Sequence, residues 1–249
     1  LLKANMKFSK FLIISLTTLL LNFEAFAASG DAIEYKITIK KVELCASGST
    51  DTNCLNPVTL FEGTSGVIDI ANATAGATAA SLGTLAAATL GTTYTYIQTT
   101  MNRAATISGF VTNAANKFCK TGTGTAGNTS INAVGAFHTS NTSSSSQTVF
   151  IGEAEANDLP DYMNGVTAAG VFGPDGDLSG STEYTMVAHR LALTAPITIT
   201  LGKLPTLKMA FDTTGALGFA GSTTGHCTAG NAATGLYGAE PTITISITN

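Results

Sequence analysis

Apolar and polar residues alternate with a period of two over much of the chain, which is the pattern of half-buried β-strands. Ile33, Tyr35, Ile37 and Ile39 fall on one parity, with Glu34, Lys36, Thr38 and Lys40 on the other. The phase then flips, because Val42 and Leu44 take the opposite parity. A β-bulge near Lys40-Lys41 accounts for that flip and bends the strand. Short strands are predicted at 57–61 and 66–71, separated by the turn-forming run Glu62-Gly63-Thr64-Ser65. Thr93 to Met101 reads as a strand with Tyr94 and Tyr96 on one face and Ile97 on the other. Ala104 to Val111 reads as another, and the intervening Asn102-Arg103 makes the two a candidate hairpin.

Further strands are expected at 147–153, at 184–193 with continuation through Ile197, Ile199 and Leu201, and at 204–211. Thr242 to Thr248 closes the chain with one dry and one wet face. The Ala-rich segment 72–91 is ambiguous: alanines permit a short helix over 79–90, while Gly83 and the threonines weaken it. Residues 120–147 are almost entirely Gly, Thr, Ser, Asn and Ala. They read as a polar loop, a linker or an edge hairpin that the pattern does not reveal. About ten short alternating strands punctuated by glycine predict an all-β chain, an antiparallel β-sandwich with long polar loops.

Residues 1–27 have the order of a secretory signal peptide. Met6-Lys7-Phe8-Ser9-Lys10 is basic, Phe11 to Leu21 is apolar, and Ala25-Phe26-Ala27 supplies small residues for cleavage. The apolar run is shorter than the roughly 20 residues of a spanning helix. Residues 1–5 read as an upstream extension. Cleavage after Ala27 leaves 222 of the 249 residues as a single domain, 28–249. The leader carries Lys3, Lys7, Lys10 and Glu24, so the formal charge of −4 becomes −6.

Charge then changes the picture. Only 11% of residues are charged, against about 25% in ordinary globular domains. Threonine explains the difference, since it supplies β-propensity and polarity on the wet faces of strands without charge. With 12 Lys and Arg in the whole chain there is no basic footprint for nucleic acid. An outer-membrane barrel would alternate too, but it carries aromatic girdles, and this chain has no Trp and ends on Asn249.

Four cysteines in an exported chain fit two disulfides. Cys45 and Cys54 flank a short polar loop that can close on itself, which leaves Cys119 and Cys227 as the second pair, with the other connectivities open. Zinc is disfavoured because no C-x2-C spacing exists and His226 stands alone beside Cys227.

The usual catalytic signatures are missing: no G-x-S-x-G elbow, no Walker A loop and no H-E-x-x-H. His138, His189 and His226 are scattered, and His189 and Arg190 are strand neighbours that face opposite ways. The most specific local signal is Asp175, Asp177 and Ser179 at alternate positions, followed by Gly180 and then Glu183. Alternate oxygens can converge on one Ca2+, and glycine allows the sharp turn. The twelfth position is Met186, where an EF-hand needs a bidentate Glu, so the expectation is a looser calcium loop or a plain acidic turn. Glu153, Glu155, Asp158 and Asp161 are candidate helpers or a solvated loop. Tyr94 and Tyr96 are candidate ligand-binding residues of a small carbohydrate platform, with cross-strand packing as the alternative.

The stretch YKITIKKVELCASGSTDTNCLNPVTL at 35–60, with TYTYIQTTM at 93–101, resembles small exported proteins of marine Gram-negative bacteria that have no assigned function. The resemblance covers about half the chain. It implies a periplasmic or surface location and brings no catalytic residues. The combined expectation is a non-catalytic exported structural or interaction protein whose edge strands can meet a second copy or other surface proteins. The alternatives are an extracellular carbohydrate-binding module, calcium-dependent or not, and a secreted hydrolase.

Overall fold

The computed structural model describes residues 28–72, 85–112, 118–122, 124–125, 132–133, 135–138, 144–151, 163–173, 183–202, 206–219, 236–238 and 241–248. Among the described residues the chain is almost entirely β, built of several antiparallel sheets. The strands are β1 (Ala28–Gly30), β2 (Ala32–Ile37), β3 (Ile39–Ala46), β4 (Val58–Glu62), β5 (Ile68–Asp69), β6 (Thr93–Asn102), β7 (Ala104–Thr112), β8 (Phe118–Thr121) and β9 (Gly124–Thr125). They continue as β10 (Asn132–Ala133), β11 (Gly135–His138), β12 (Gln147–Phe150), β13 (Met163–Thr167), β14 (Tyr184–Thr198), β15 (Thr206–Asp212), β16 (Leu217–Phe219), β17 (Leu236–Gly238) and β18 (Thr242–Thr248). Among the described residues the Ala-rich segment contributes one 3-10 turn, Leu85–Ala87, and the rest of the helix expected over 79–90 lies mostly outside them.

Two sheets dominate. One runs β13-β14-β6-β3-β4, and the other runs β11-β8-β7-β12-β9, with β2 attached to β7 and β5 attached to β2. Pairing is antiparallel apart from the short β12–β9 contact. Among the described residues an apolar cluster joins the two sheets, drawing Val42, Leu44 and Ile97 from one and Tyr35, Ile107 and Val149 from the other.

The sheets are joined by strands that pass from one to the other. The chain leaves β2 at Ile37 and re-enters as β3 at Ile39, with Thr38 at the corner. β6 leads through Arg103 into β7 in the same way. The corners face each other, since the Asn102 N–H donates to the Thr38 carbonyl at 2.9 Å. The hairpin expected at Asn102-Arg103 is therefore not formed: β6 and β7 do not pair but continue into different sheets. The reason lies in Arg103, which is 2% exposed. Its guanidinium donates to the Ile151 and Tyr184 carbonyls, both at 2.9 Å, and its backbone carbonyl accepts from the Ile151 N–H at 2.8 Å. A polar dipeptide that looks like a turn is instead a buried corner of the kind by which strands switch sheets.

The bulge expected near Lys40-Lys41 is present, as the register against β6 shifts between Ile39 and Lys41. It lets Ile39 face the core opposite Met101 and then puts Val42 and Leu44 on the same side. A second bulge between Ala32 and Glu34 turns Ile33 outward, 54% exposed, so Ile33 is not part of the buried face shared by Tyr35, Ile37 and Ile39.

The polar run 120–147 holds more structure than its composition suggests. β8 and β11 pair antiparallel, with Cys119 opposite Phe137. The first and last strands pair within their own chain: β1 with β16, β2 with β7 and β5, and β18 with β15 along its full length.

Candidate functional site: a polar ladder under a bridged loop

The sheet β13-β14-β6-β3-β4 has two faces of different chemistry. Val42, Thr99, His189 and Met163 lie in register on the core side. One residue further along, Glu43, Gln98 and Arg190 lie in register on the other side. Alternation in a strand demands this, so His189 and Arg190 face opposite ways.

Glu43, Gln98 and Arg190 form a continuous hydrogen-bonded ladder. Gln98 Nε2 donates to Glu43 Oε2 at 2.7 Å, and Arg190 Nε donates to Gln98 Oε1 at 2.6 Å. Arg190 Nη1 reaches Asn164 Oδ1 at 2.5 Å, so the ladder crosses four neighbouring strands. At its other end Lys41 Nζ lies 2.7 Å from Glu43 Oε1. All three central side chains are buried, and Arg190 is 5% exposed. Burial lowers the Arg190 pKa, and the nearby Glu43 and Asp51 carboxylates oppose that shift. A buried charge that reaches an opposite charge through a neutral amide keeps both groups satisfied.

The cover comes from two segments. The loop after β3 is closed by the Cys45–Cys54 disulfide, as the spacing predicted. It is also tied internally: the Ala46 N–H donates to the Leu55 carbonyl at 2.8 Å, and the Ser49 hydroxyl donates to the Ala46 carbonyl at 2.6 Å while accepting from the Leu55 N–H at 2.9 Å. This geometry carries the Asp51 carbonyl to 3.2 Å from Arg190 Nη1. On the outer side, the turn after β13 lays the Phe172 ring over the guanidinium, with 5.5 Å between the guanidinium carbon and the ring centre.

The residues singled out from sequence fall in several places. Tyr94 is fully buried, and its hydroxyl oxygen accepts from the Thr89 N–H at 3.0 Å. Tyr96 is half-buried. They do not share a face: Cys45 and Ala46 are neighbours on β3, and they stand opposite Tyr96 and Tyr94 respectively. The bulge between those pairs shifts the register that simple alternation assumed, so that Tyr94 packs in the core while Tyr96 stays partly exposed. Glu183 is exposed at the start of β14. Asp175, Asp177 and Ser179, and likewise Glu153, Glu155, Asp158 and Asp161, lie outside the described residues. Among the described residues no group of three or more His, Cys, Asp and Glu side chains converges as a metal site. Cys119 is buried and disulfide-bonded, while Cys227 lies outside the described residues.

His189 is buried on the core side of the sheet. Burial pushes its pKa down to about 4, so it is neutral at physiological pH. The ladder residues Glu43, Gln98 and Arg190 were not singled out by sequence reading. Their signal was a long polar side chain set between buried neighbours on each of three strands, but the register that brings them together is a tertiary property.

No protein-family model, curated protein or solved structure matches the chain.

Proposed function

We propose that this chain is a non-catalytic structural or interaction protein of the periplasm or cell surface. The observation that carries the reading is the Glu43–Gln98–Arg190–Asn164 ladder beneath a disulfide-closed loop. Its charged groups are spent on one another and on Asp51, so this buried chemistry acts to hold four strands in register. A disulfide is compatible with an oxidising compartment outside the cytoplasm. Among the described residues no helix is long and apolar enough to cross a membrane.

The test is the mass of residues 28–249 by size-exclusion chromatography with light scattering, in calcium and in chelator, together with fractionation of the expressing cell. Assembly beyond the monomer and recovery outside the cytoplasm are expected. A strict monomer that hydrolyses a glycoside or ester substrate overturns the reading. A calcium-dependent rise in melting temperature that Asp175→Ala abolishes would move it to a calcium-dependent binding module using Asp175, Asp177, Ser179 and Glu183.

A further inference from the structure

The bridged loop reaches the ladder at Arg190, and the two cysteines that close it differ in burial. Cys45 is fully buried in β3, two residues from Glu43 on the same face of the sheet. Cys54 is only half-buried. Residues 50–53, the outer part of the loop, are exposed, and their local ties are surface hydrogen bonds such as Thr50 N–H to the Asn53 carbonyl at 2.9 Å. Bonds of that kind exchange readily with water and hold a loop weakly. The loop meets the ladder at Arg190, where the Asp51 carbonyl accepts a hydrogen bond and the Asp51 carboxylate lies nearby.

We propose that the loop between Cys45 and Cys54 is a thiol-released strap: closed by its disulfide it seals the Glu43–Gln98–Arg190 ladder, and opened by a dithiol reductant it lifts and exposes that face of the sheet.

The exchange chemistry fits the burial. A thiolate of the dithiol attacks Sγ of Cys54, the less buried of the two cysteines, and the S–S bond breaks to release the Cys45 thiolate, which takes up a proton. The second thiol of the reductant, as its thiolate, then displaces Cys54 as a thiolate, which is protonated in turn. Two electrons and two protons pass to the protein, and the reductant leaves as a cyclic disulfide. Without the bridge, the chain around Asp51 regains the open conformers that the crosslink removed. Arg190 Nη1 exchanges the Asp51 carbonyl for water and keeps its bond to Asn164. β3 and β6 stay paired through their backbones, so the sheet itself survives. The strap does not depend on what the protein surface binds.

The test is the rate of phenylglyoxal labelling at Arg190, followed by peptide mass spectrometry on folded protein before and after treatment with dithiothreitol. Arg103, buried at the sheet corner, serves as the internal control. Labelling of Arg190 is expected to rise at least ten-fold on reduction, with Arg103 unchanged and hydrogen exchange accelerated over 46–55. The Cys45→Ser/Cys54→Ser variant, which keeps the bridge at Cys119, is expected to label as the reduced protein does. An unchanged Arg190 rate in either preparation overturns the proposal, since dithiothreitol also opens the bridge at Cys119 and the double variant does not. So does a parallel rise at Arg103, or a double variant that cannot fold, because the bridge would then hold the sheet and not the strap.

Discussion

Arg190 and Glu43 sit on strands separated by β6, and they are joined by the one side chain between them: Gln98 accepts from Arg190 Nε at 2.6 Å and donates to Glu43 at 2.7 Å. Gln98 is therefore the link that lets two buried opposite charges coexist. Gln98→Ala leaves a guanidinium N–H and a carboxylate oxygen buried without that partner. The expected loss is about 3 kcal/mol in urea denaturation. The triple substitution Glu43→Leu/Gln98→Met/Arg190→Met removes the ladder whole and should recover most of that loss, because an apolar replacement leaves no orphaned charge. A triple variant less stable than Gln98→Ala alone would show that the ladder contributes net stability.

Arg103 ties the end of β12 to the start of β14 through two carbonyls, those of Ile151 and Tyr184. Arg103→Met should cost about 3 kcal/mol, since both carbonyls lose a charged donor in a buried place. Arg103→Lys should rescue little, because an ammonium lacks the planar fork that serves both carbonyls at once. Chemical denaturation of the two variants side by side measures this, and full rescue by lysine would mean that charge, not geometry, is what the corner uses.

His189 makes stability depend on acid. Its folded pKa of about 4 lies below the ordinary value of 6.5. Above about pH 6.5 the ring is neutral whether the chain is folded or unfolded, so nothing is lost. Between 6.5 and 4 the unfolded chain takes up a proton that the folded chain refuses, and stability falls as pH drops. Below 4 both states are protonated and the loss levels off, at about 3 kcal/mol in total. His189→Leu should flatten the stability profile between pH 4 and 6.5. A variant whose profile keeps the wild-type slope would place that dependence on other groups.

Gly109 lies where β1 and β16 crowd against β7. A β-carbon there would overlap Leu217 Cδ1 and stand 2.9 Å from the Asp31 carbonyl oxygen. Gly109 also has a positive φ of 156°, so Gly109→Ala should destabilise by about 1–3 kcal/mol through overpacking and backbone strain together. Gly66→Ala meets nothing within 4 Å and bears only its positive φ of 73°. Thermal melts of the two variants compare strain with crowding against strain alone, and a Gly109→Ala loss no larger than that of Gly66→Ala would show that the crowding costs nothing.

The strands were legible where alternation is local. β18 is read to the residue, and the bulge at Lys40-Lys41 is visible as a change of parity between Ile39 and Val42. Short spacing also identified the Cys45–Cys54 bridge. The sequence misled where a decision belonged to the tertiary fold. Asn102-Arg103 has turn-like polarity, yet the carbonyls that bury Arg103 come from 48 and 81 residues away. Tyr94 and Tyr96 obey alternation until the register against β3 slips by one. The ladder was invisible for a similar reason, since Glu43, Gln98 and Arg190 are separated by 55 and 92 residues and meet only once the register is set.

Thr38 and Arg103 mark the places where two paired strands run on from one sheet into the other without a break. The two layers are thus threaded on the same pair of chains and are not independent pieces pressed together. Pulling or melting either layer transmits through covalent backbone to its neighbour, so the described strands should come apart as one cooperative block, with signals from Tyr35 in one layer and Tyr94 in the other disappearing in a single transition.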